Sequence, residues 1–221
     1  MARPGPGNHA SLDAILDCAE QLFAQRGFGG IGLAEVAEGA GLAKSSLFHH
    51  FATKAQLYAA VMARLLARIE AELTAALAAG GPPVERLERW LDTLVDVLAA
   101  HPTYARLLLR TLFEDEELAA DLPEAKEGSA ALRRIVGAAL RLLREGMGTG
   151  ELRSASAPHV LHALLGATLH HFATGHFGEE LIGRPLFAPS EVRRHKTELL
   201  GLVQHGLVAA PAARTRPRRR S

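Results

Sequence analysis

Residues 27–54 read GFGGIGLAEVAEGAGLAKSSLFHHFATK and hold two short helical patterns parted by a glycine turn. Leu33, Val36 and Ala37 keep one apolar face across the first pattern, and Leu47 and Phe51 do the same across the second. Gly39-Ala40-Gly41-Leu42 lies between them, and its glycines can take the positive φ that a tight corner needs. Ile15, Ala19, Leu22 and Phe23 before the stretch, and Leu57, Tyr58, Val61 and Met62 after it, have the spacing of helices that pack behind it. Two helices joined by a short glycine-containing turn form a helix-turn-helix, expected here over residues 32–51. The second helix of such a pair enters the DNA major groove.

Composition agrees with a packed protein. The chain has 221 residues, 48% hydrophobic and 22% charged, enough to bury a sizeable core. Cys18 is the single cysteine, so an intramolecular disulfide is excluded; on the apolar face of its helix it reads as a small core residue rather than a reactive thiol. The N-terminal MARPGPGNHAS lacks the apolar run of a signal peptide, and no stretch is long and apolar enough for a membrane span. The expectation is a soluble, cytoplasmic protein. Net charge is +1, unevenly spread. Residues 1–58 hold four Lys/Arg (Arg3, Arg26, Lys44, Lys54) against five Asp/Glu (Asp13, Asp17, Glu20, Glu35, Glu38). The tail carries Arg214, Arg216, Arg218, Arg219 and Arg220. A nucleic-acid reader usually shows a basic face, and this head is thin in that respect.

The expected fold class is all-α, with about nine helices and no strand pattern of useful length. Residues 1–8 and 211–221 are expected to be disordered, with Asn8 or Ser11 capping a first helix that ends at Arg26 and Gly27. The second helix starts near Leu33 behind Gly32, and the third near Lys44 behind Ala43. Thr53 and Gln56 form a capping box that opens a long fourth helix. Gly80-Gly81-Pro82-Pro83 ends it. Further helices are expected over about 84–100, 103–114, 124–145, 157–175 and 190–208, with an acidic connector at 114–123 and a loop at 146–150. Residues 9–69 read as a DNA-binding domain and 70–210 as a helical ligand-binding and dimerisation domain.

The segments 157–175 and 190–208 are apolar over much of their circumference, and Gly166 and Ala167 permit close approach. Packing this pair against its copy, as a four-helix interface of a homodimer, would cover it. A purely intrachain core is the alternative.

Over residues 12–58 the chain resembles TetR-type bacterial transcriptional regulators. Phe23 and Gly27-Phe28 match the end of that family's first helix. Val36-Ala37 and Ala40-Gly41-Leu42 match its turn, and Leu47-Phe48-His49-His50-Phe51-Ala52-Thr53-Lys54 matches the end of its recognition helix. The resemblance implies a homodimer whose recognition helices read half-sites of a palindromic double-stranded operator about one DNA turn apart. It implies a small effector that shifts the dimer to a state with wrongly spaced heads. Carried over by position, Lys44, Ser45, Ser46, Phe48, His49 and His50 form the reading surface, and Lys54 contacts phosphate. Three positions depart from the pattern: a hydroxyl residue is common where Gly32 and Ala43 stand, and a tyrosine where Phe48 stands. These groups commonly donate to phosphates, so weaker or more salt-sensitive operator binding is expected. The basic tail, His9, His49 and His50 are candidate compensations.

His159, His162, His170, His171 and His176 invite a metal reading, but they include no i,i+4 pair and lack Asp or Cys partners; no metal and no cofactor are expected. Candidate pocket residues are Met62, Leu66, Trp90, Leu94, Tyr104, Leu108, Phe113, Leu143, His170 and Phe172, and plain core packing is the competing role for each. Scarce charge on these faces points to a small apolar, neutral or weakly acidic ligand. Two functions follow. One is a dimeric DNA-binding transcriptional regulator, in its simplest form a repressor released by a small apolar ligand. The other is a helical small-molecule-binding protein with a weak or vestigial DNA head. An enzyme finds no support: no nucleophile–base spacing, phosphate loop or paired carboxylates are present.

Overall fold

The computed structural model describes residues 6–113 and 121–209, and the side chains of all these except 6–10, 112 and 113. They form α1 (Pro6–Arg26), α2 (Leu33–Gly39), α3 (Lys44–His50), α4 (Lys54–Ala78), α5 (Pro83–Ala100), α6 (Tyr104–Phe113), α7 (Pro123–Thr149), α8 (Ala157–Ala173), α9 (His176–Ile182) and α10 (Pro189–Gly206). Among the described residues the sole β pairing is an isolated antiparallel bridge between Leu152 and Val208. The class is all-α as expected, with ten helices rather than nine. The tail from 210 onward, the connector 114–120, residues 1–5 and the His9 side chain lie outside the described residues.

Two helix ends and one added helix differ from the sequence reading. The first helix begins at Pro6, ahead of Asn8 and Ser11, because proline fits the first helical position, where an N–H would have no partner. α7 runs on to Thr149 through Gly146 and Gly148 instead of ending at Glu145. A Cβ at Gly146 would lie 2.7 Å from Leu152 Cδ1, so this glycine serves close packing rather than termination. The stop falls at Gly150, with φ 78°. The added helix, α9, lies between the helices expected over 157–175 and 190–208.

α4 is the spine of the molecule. Its stripe of Leu57, Val61, Leu65, Ile69 and Leu73 is buried, and it packs most extensively against α7, then against α5. It runs unbroken from the helix-turn-helix into the body, ending where Gly80 and Gly81 take positive φ before Pro83 opens α5. α6 packs on α8, and α10 on α5. Trp90, Tyr104, Phe23 and Phe172 are the largest fully buried side chains. At the far end of α7, residues 151–153 pair with the end of α10: Arg153 N–H donates to Leu207 O at 2.8 Å, and Ala209 N–H to Glu151 O at 2.9 Å.

A buried polar cluster joins head to body. Glu20 on α1, 7% exposed, accepts from Thr103 Oγ1 at 2.6 Å and from Arg64 Nη2 at 3.1 Å. Arg64 also lies 2.8 Å from Asp17 Oδ1. One turn further along α4, Arg68 donates to the Tyr104 hydroxyl at 3.2 Å. The start of α6 is thereby tied to the first helix of the head.

His171 on α8 stacks on His195 of α10, with ring centroids 3.7 Å apart, and both Nε2 atoms are buried without a partner. Burial, helped by the neighbouring His171, pushes His195 down to about 4; burial and then His170 lower His171. Because the folded chain holds this pair neutral while the unfolded chain protonates near 6.5, stability is full above that pH. It is lost as pH falls from about 6.5 through 4. For the partly exposed His195 the discounted loss is about 1–2 kcal/mol. Urea unfolding at pH 7.5 and pH 4.5 should show this difference, and His195→Phe should reduce it; an unchanged pH dependence in the variant would remove the assignment.

Candidate nucleic-acid interface

The reading head is built on a corner. The amides of residues 40–42 fold back on α2: Ala40 N–H donates to Val36 O, Gly41 N–H to Glu38 O and Leu42 N–H to Ala37 O, at 2.9, 3.0 and 2.9 Å. Gly41 takes φ 69°, a conformation that costs other residues energy. The chain then enters α3 through Ala43, which gives no side-chain cap, just as Gly32 gives none to α2. α3 has seven residues, too few to persist alone, and Leu47 is its one fully buried side chain. Val36 and Ala37 are buried on α2, and Phe51 is buried just after α3. The apolar frame read from the sequence is therefore in place.

The outward face carries Lys44, Ser45, Phe48 and His49, all exposed; Ser46 and His50 are half-buried. Lys44 Nζ lies 5.6 Å above the Phe48 ring, which is 43% exposed. Lys44 has no carboxylate partner among the described residues, so its charge stays available. His50 is directed back towards α1, with its Nε2 at 3.2 Å from Ser11 Oγ, and its ring packs near Phe51. Arg26 is neutralised by an ion pair with Glu35. Six of the seven residues assigned to the DNA-binding surface thus lie together on α3.

Lys54 is the seventh, and it is occupied. Its ammonium donates to Phe28 O at 2.8 Å and Ile31 O at 3.2 Å, and lies 4.3 Å from the Phe28 ring centroid. Two of its three hydrogens are given to the loop between α1 and α2, which leaves one for a phosphate. Phe28 in turn joins an aromatic cluster with Phe23 and Tyr58. Lys54 fastens the α1–α2 loop to the start of α4. The Thr53 cap is also present: Gln56 N–H donates to Thr53 Oγ1 at 3.1 Å, whereas the Gln56 side chain accepts from Ala52 N–H.

Most of the pocket candidates are packed in the body's core. Met62, Leu66, Trp90, Leu94, Tyr104, Leu143 and Phe172 belong to the contiguous core, with Leu108 packed against it. His170 points outward from α8, because one helical step of about 100° separates it from the inward His171. The Phe113 side chain lies outside the described residues. Of the ten, Trp90 alone lines a groove of about 290 Å³ between α4, α5 and α7, with Glu70, Leu73, Leu77, Arg134, Ile135 and Arg141. Sequence reading missed Arg134 and Arg141 because they stand on the polar side of α7's pattern. Among the described residues no group of three His, Cys, Asp or Glu is placed to hold a metal ion, and no helix is long and apolar enough to cross a membrane.

Comparison with known proteins adds two family matches. The model described as bacterial regulatory proteins, tetR family, matches residues 15–61, and that of the tetracyclin repressor-like C-terminal domain matches residues 83–203. An uncharacterized HTH-type transcriptional regulator of Mycobacterium tuberculosis is 33% identical over 43% of this chain and 47% of its own length. The chain thus spans about half the length of that relative. The HTH-type transcriptional regulator RutR of Escherichia coli is 26% identical over 73% of this chain and 74% of its own. In fold, the chain is similar to AibR, solved in complex with isovaleryl coenzyme A and operator DNA. The TM-score is 0.70 at 19% identity, covering 87% of this chain and 97% of that one.

Proposed function

Because the chain belongs to the TetR family of bacterial regulatory proteins, we propose that it is a ligand-responsive, homodimeric DNA-binding transcriptional regulator. In its simplest form it is a repressor that leaves a palindromic operator when a small molecule occupies the body. The observation that carries the reading is α3. It is a short helix pinned by Leu47, with Lys44, Ser45, Phe48 and His49 presented to solvent at its start and along one face. Such a helix suits the major groove, where backbone contacts set register and side chains read base edges.

The dimer is assigned to α8 and α10. His159, His162, Ala163, Gly166 and Ala167 are exposed on α8, small enough in the middle for close helix approach. Leu202 on α10 is 69% exposed, an apolar side chain that a second copy would cover. An apolar floor in the body, together with a fold neighbour solved with both a coenzyme A thioester and operator DNA, supports the ligand-responsive part.

Fluorescence anisotropy with the DNA flanking its own gene, run against scrambled DNA over a salt series, tests the reading. Specific binding is expected, with log affinity falling linearly in log salt. Lys44→Ala should flatten that slope by about one per subunit while weakening all sequences alike. Binding no tighter than to scrambled DNA at low salt would favour the alternative, a small-molecule-binding protein with a vestigial head.

A further inference from the structure

The groove between α4, α5 and α7 has an apolar floor and donors that lack acceptors. Leu73, Leu77 and Ile135 supply the floor. Trp90, 1% exposed, closes it, and its indole N–H has no hydrogen-bond partner. Buried N–H groups are nearly always paired, so an unpaired one against a groove points to an acceptor that arrives with a ligand. Three charged side chains rim the groove. Arg134 and Glu70 satisfy one another: Arg134 Nη2 donates to Glu70 Oε2 at 2.7 Å, and its Nε to the other oxygen. Arg141 has no carboxylate partner among the described residues, although it lies alongside Gly137 one turn back on α7. The rim therefore carries one uncompensated positive charge.

We infer that this groove takes a small amphipathic monoanion, its carboxylate held by Arg141 and the Trp90 indole N–H and its apolar part on Leu73, Leu77 and Ile135. A guanidinium matches a carboxylate with two parallel N–H donors, which an alcohol or an amine cannot use. A cationic ligand would meet Arg141 as a like charge, and its natural counter-ion Glu70 is already bound. The volume of about 290 Å³ stands at the low end of ligand pockets. At roughly 30 Å³ per water molecule in the liquid, it equals the space of on the order of ten waters, which suits a small ligand. This sharpens the ligand of the proposed regulator and rests on that reading only for its consequence at DNA.

Trp90 is the one tryptophan in the chain, so its fluorescence reports on this groove without background. Octanoate and phenylacetate, titrated into the full-length, DNA-free protein, should change that emission saturably, whereas octylamine and octanol should not. Arg141→Ala, at an exposed position that leaves the core untouched, should weaken octanoate binding at least ten-fold, and Arg141→Lys by less. By calorimetry, Trp90→Phe, which keeps a smaller aromatic ring but removes the N–H, should weaken it several-fold, while Arg141→Ala separates the loss of charge from any loss of packing. Absence of a response to either carboxylate at millimolar concentration, octylamine binding as tightly as octanoate, or an unchanged affinity in Arg141→Ala would each overturn the inference. A separate arm adds octanoate to the preformed operator complex. Binding at the groove without DNA release upholds the anion site and counts against the effector role. Release that persists in Arg141→Ala counts against the site and leaves the regulator standing.

Discussion

Arg64→Ala should lower the unfolding free energy by about 3–5 kcal/mol, the cost of leaving a buried carboxylate without its cation. Glu20 is 7% exposed and depends on two donors, Thr103 Oγ1 and Arg64 Nη2. Truncating Arg64 removes the charged donor and its contact with Asp17, and leaves the Thr103 hydroxyl as the remaining hydrogen-bond donor to Glu20, with Arg68 one turn away. Native domains have only about 5–15 kcal/mol in hand, so the loss is a large fraction of the total. The double variant Glu20→Leu with Arg64→Met should recover most of it, since replacing both partners by apolar groups removes the desolvation cost along with the attraction. Urea unfolding monitored by circular dichroism measures all three proteins. A cost below about 1 kcal/mol for Arg64→Ala would show that Glu20 does not depend on this partner. The cluster has a second consequence. It links α1, α4 and the start of α6, so Thr103 is placed where a shift of the body is felt by the head.

The second large effect is expected at Leu47. Leu47→Ala deletes the one fully buried side chain of α3, a change that in packed sites costs about 2–5 kcal/mol. α3 cannot hold its shape without that contact, because seven residues are well below the length at which an isolated helix persists. Operator affinity should therefore fall at least ten-fold, the equivalent of about 1.4 kcal/mol of lost docking. Leu47→Met conserves volume and should stay near wild type in both stability and DNA binding. Anisotropy and thermal melts of the two variants decide the matter: equal DNA affinity in Leu47→Ala and wild type would show that α3 is held by something other than this side chain.

The helix-turn-helix was legible because its determinants are local. Gly27 and Gly41 do take positive φ, and Val36, Ala37, Leu47 and Phe51 are buried as their spacing predicts. The long stripe of α4 was equally plain, since ten of its side chains are buried at helical spacing. α9 was not legible: HFGEELI is shorter than the window over which a 3.6-residue period can be counted. Gly146 and Gly148 looked like a loop because glycine is the usual stop signal, and only the approach of Leu152 shows why Gly146 stays inside a helix. Lys54 looked like a phosphate grip, and its partners Phe28 O and Ile31 O are more than twenty residues away along the chain. Pocket residues are harder still. Apolar spacing selects what is buried, and Met62, Leu94, Tyr104 and Phe172 all belong to the contiguous core, where spacing alone does not separate packing from pocket lining. The groove's charged rim comes from Glu70, Arg134 and Arg141, which periodicity assigns to the solvent side.

The bridge between Leu152 and Val208 acts as a mooring point. It fixes Ala209 beside the end of α7, while the other end of that helix lies at the head, where Gln56 donates to Glu124 Oε1 at 3.2 Å. At 1.5 Å per residue the 27 residues of α7 put about 40 Å between those two ends. α7 is thus a strut fastened at both ends, and a substitution that loosens the mooring is expected to be felt at the Gln56–Glu124 contact beside the head.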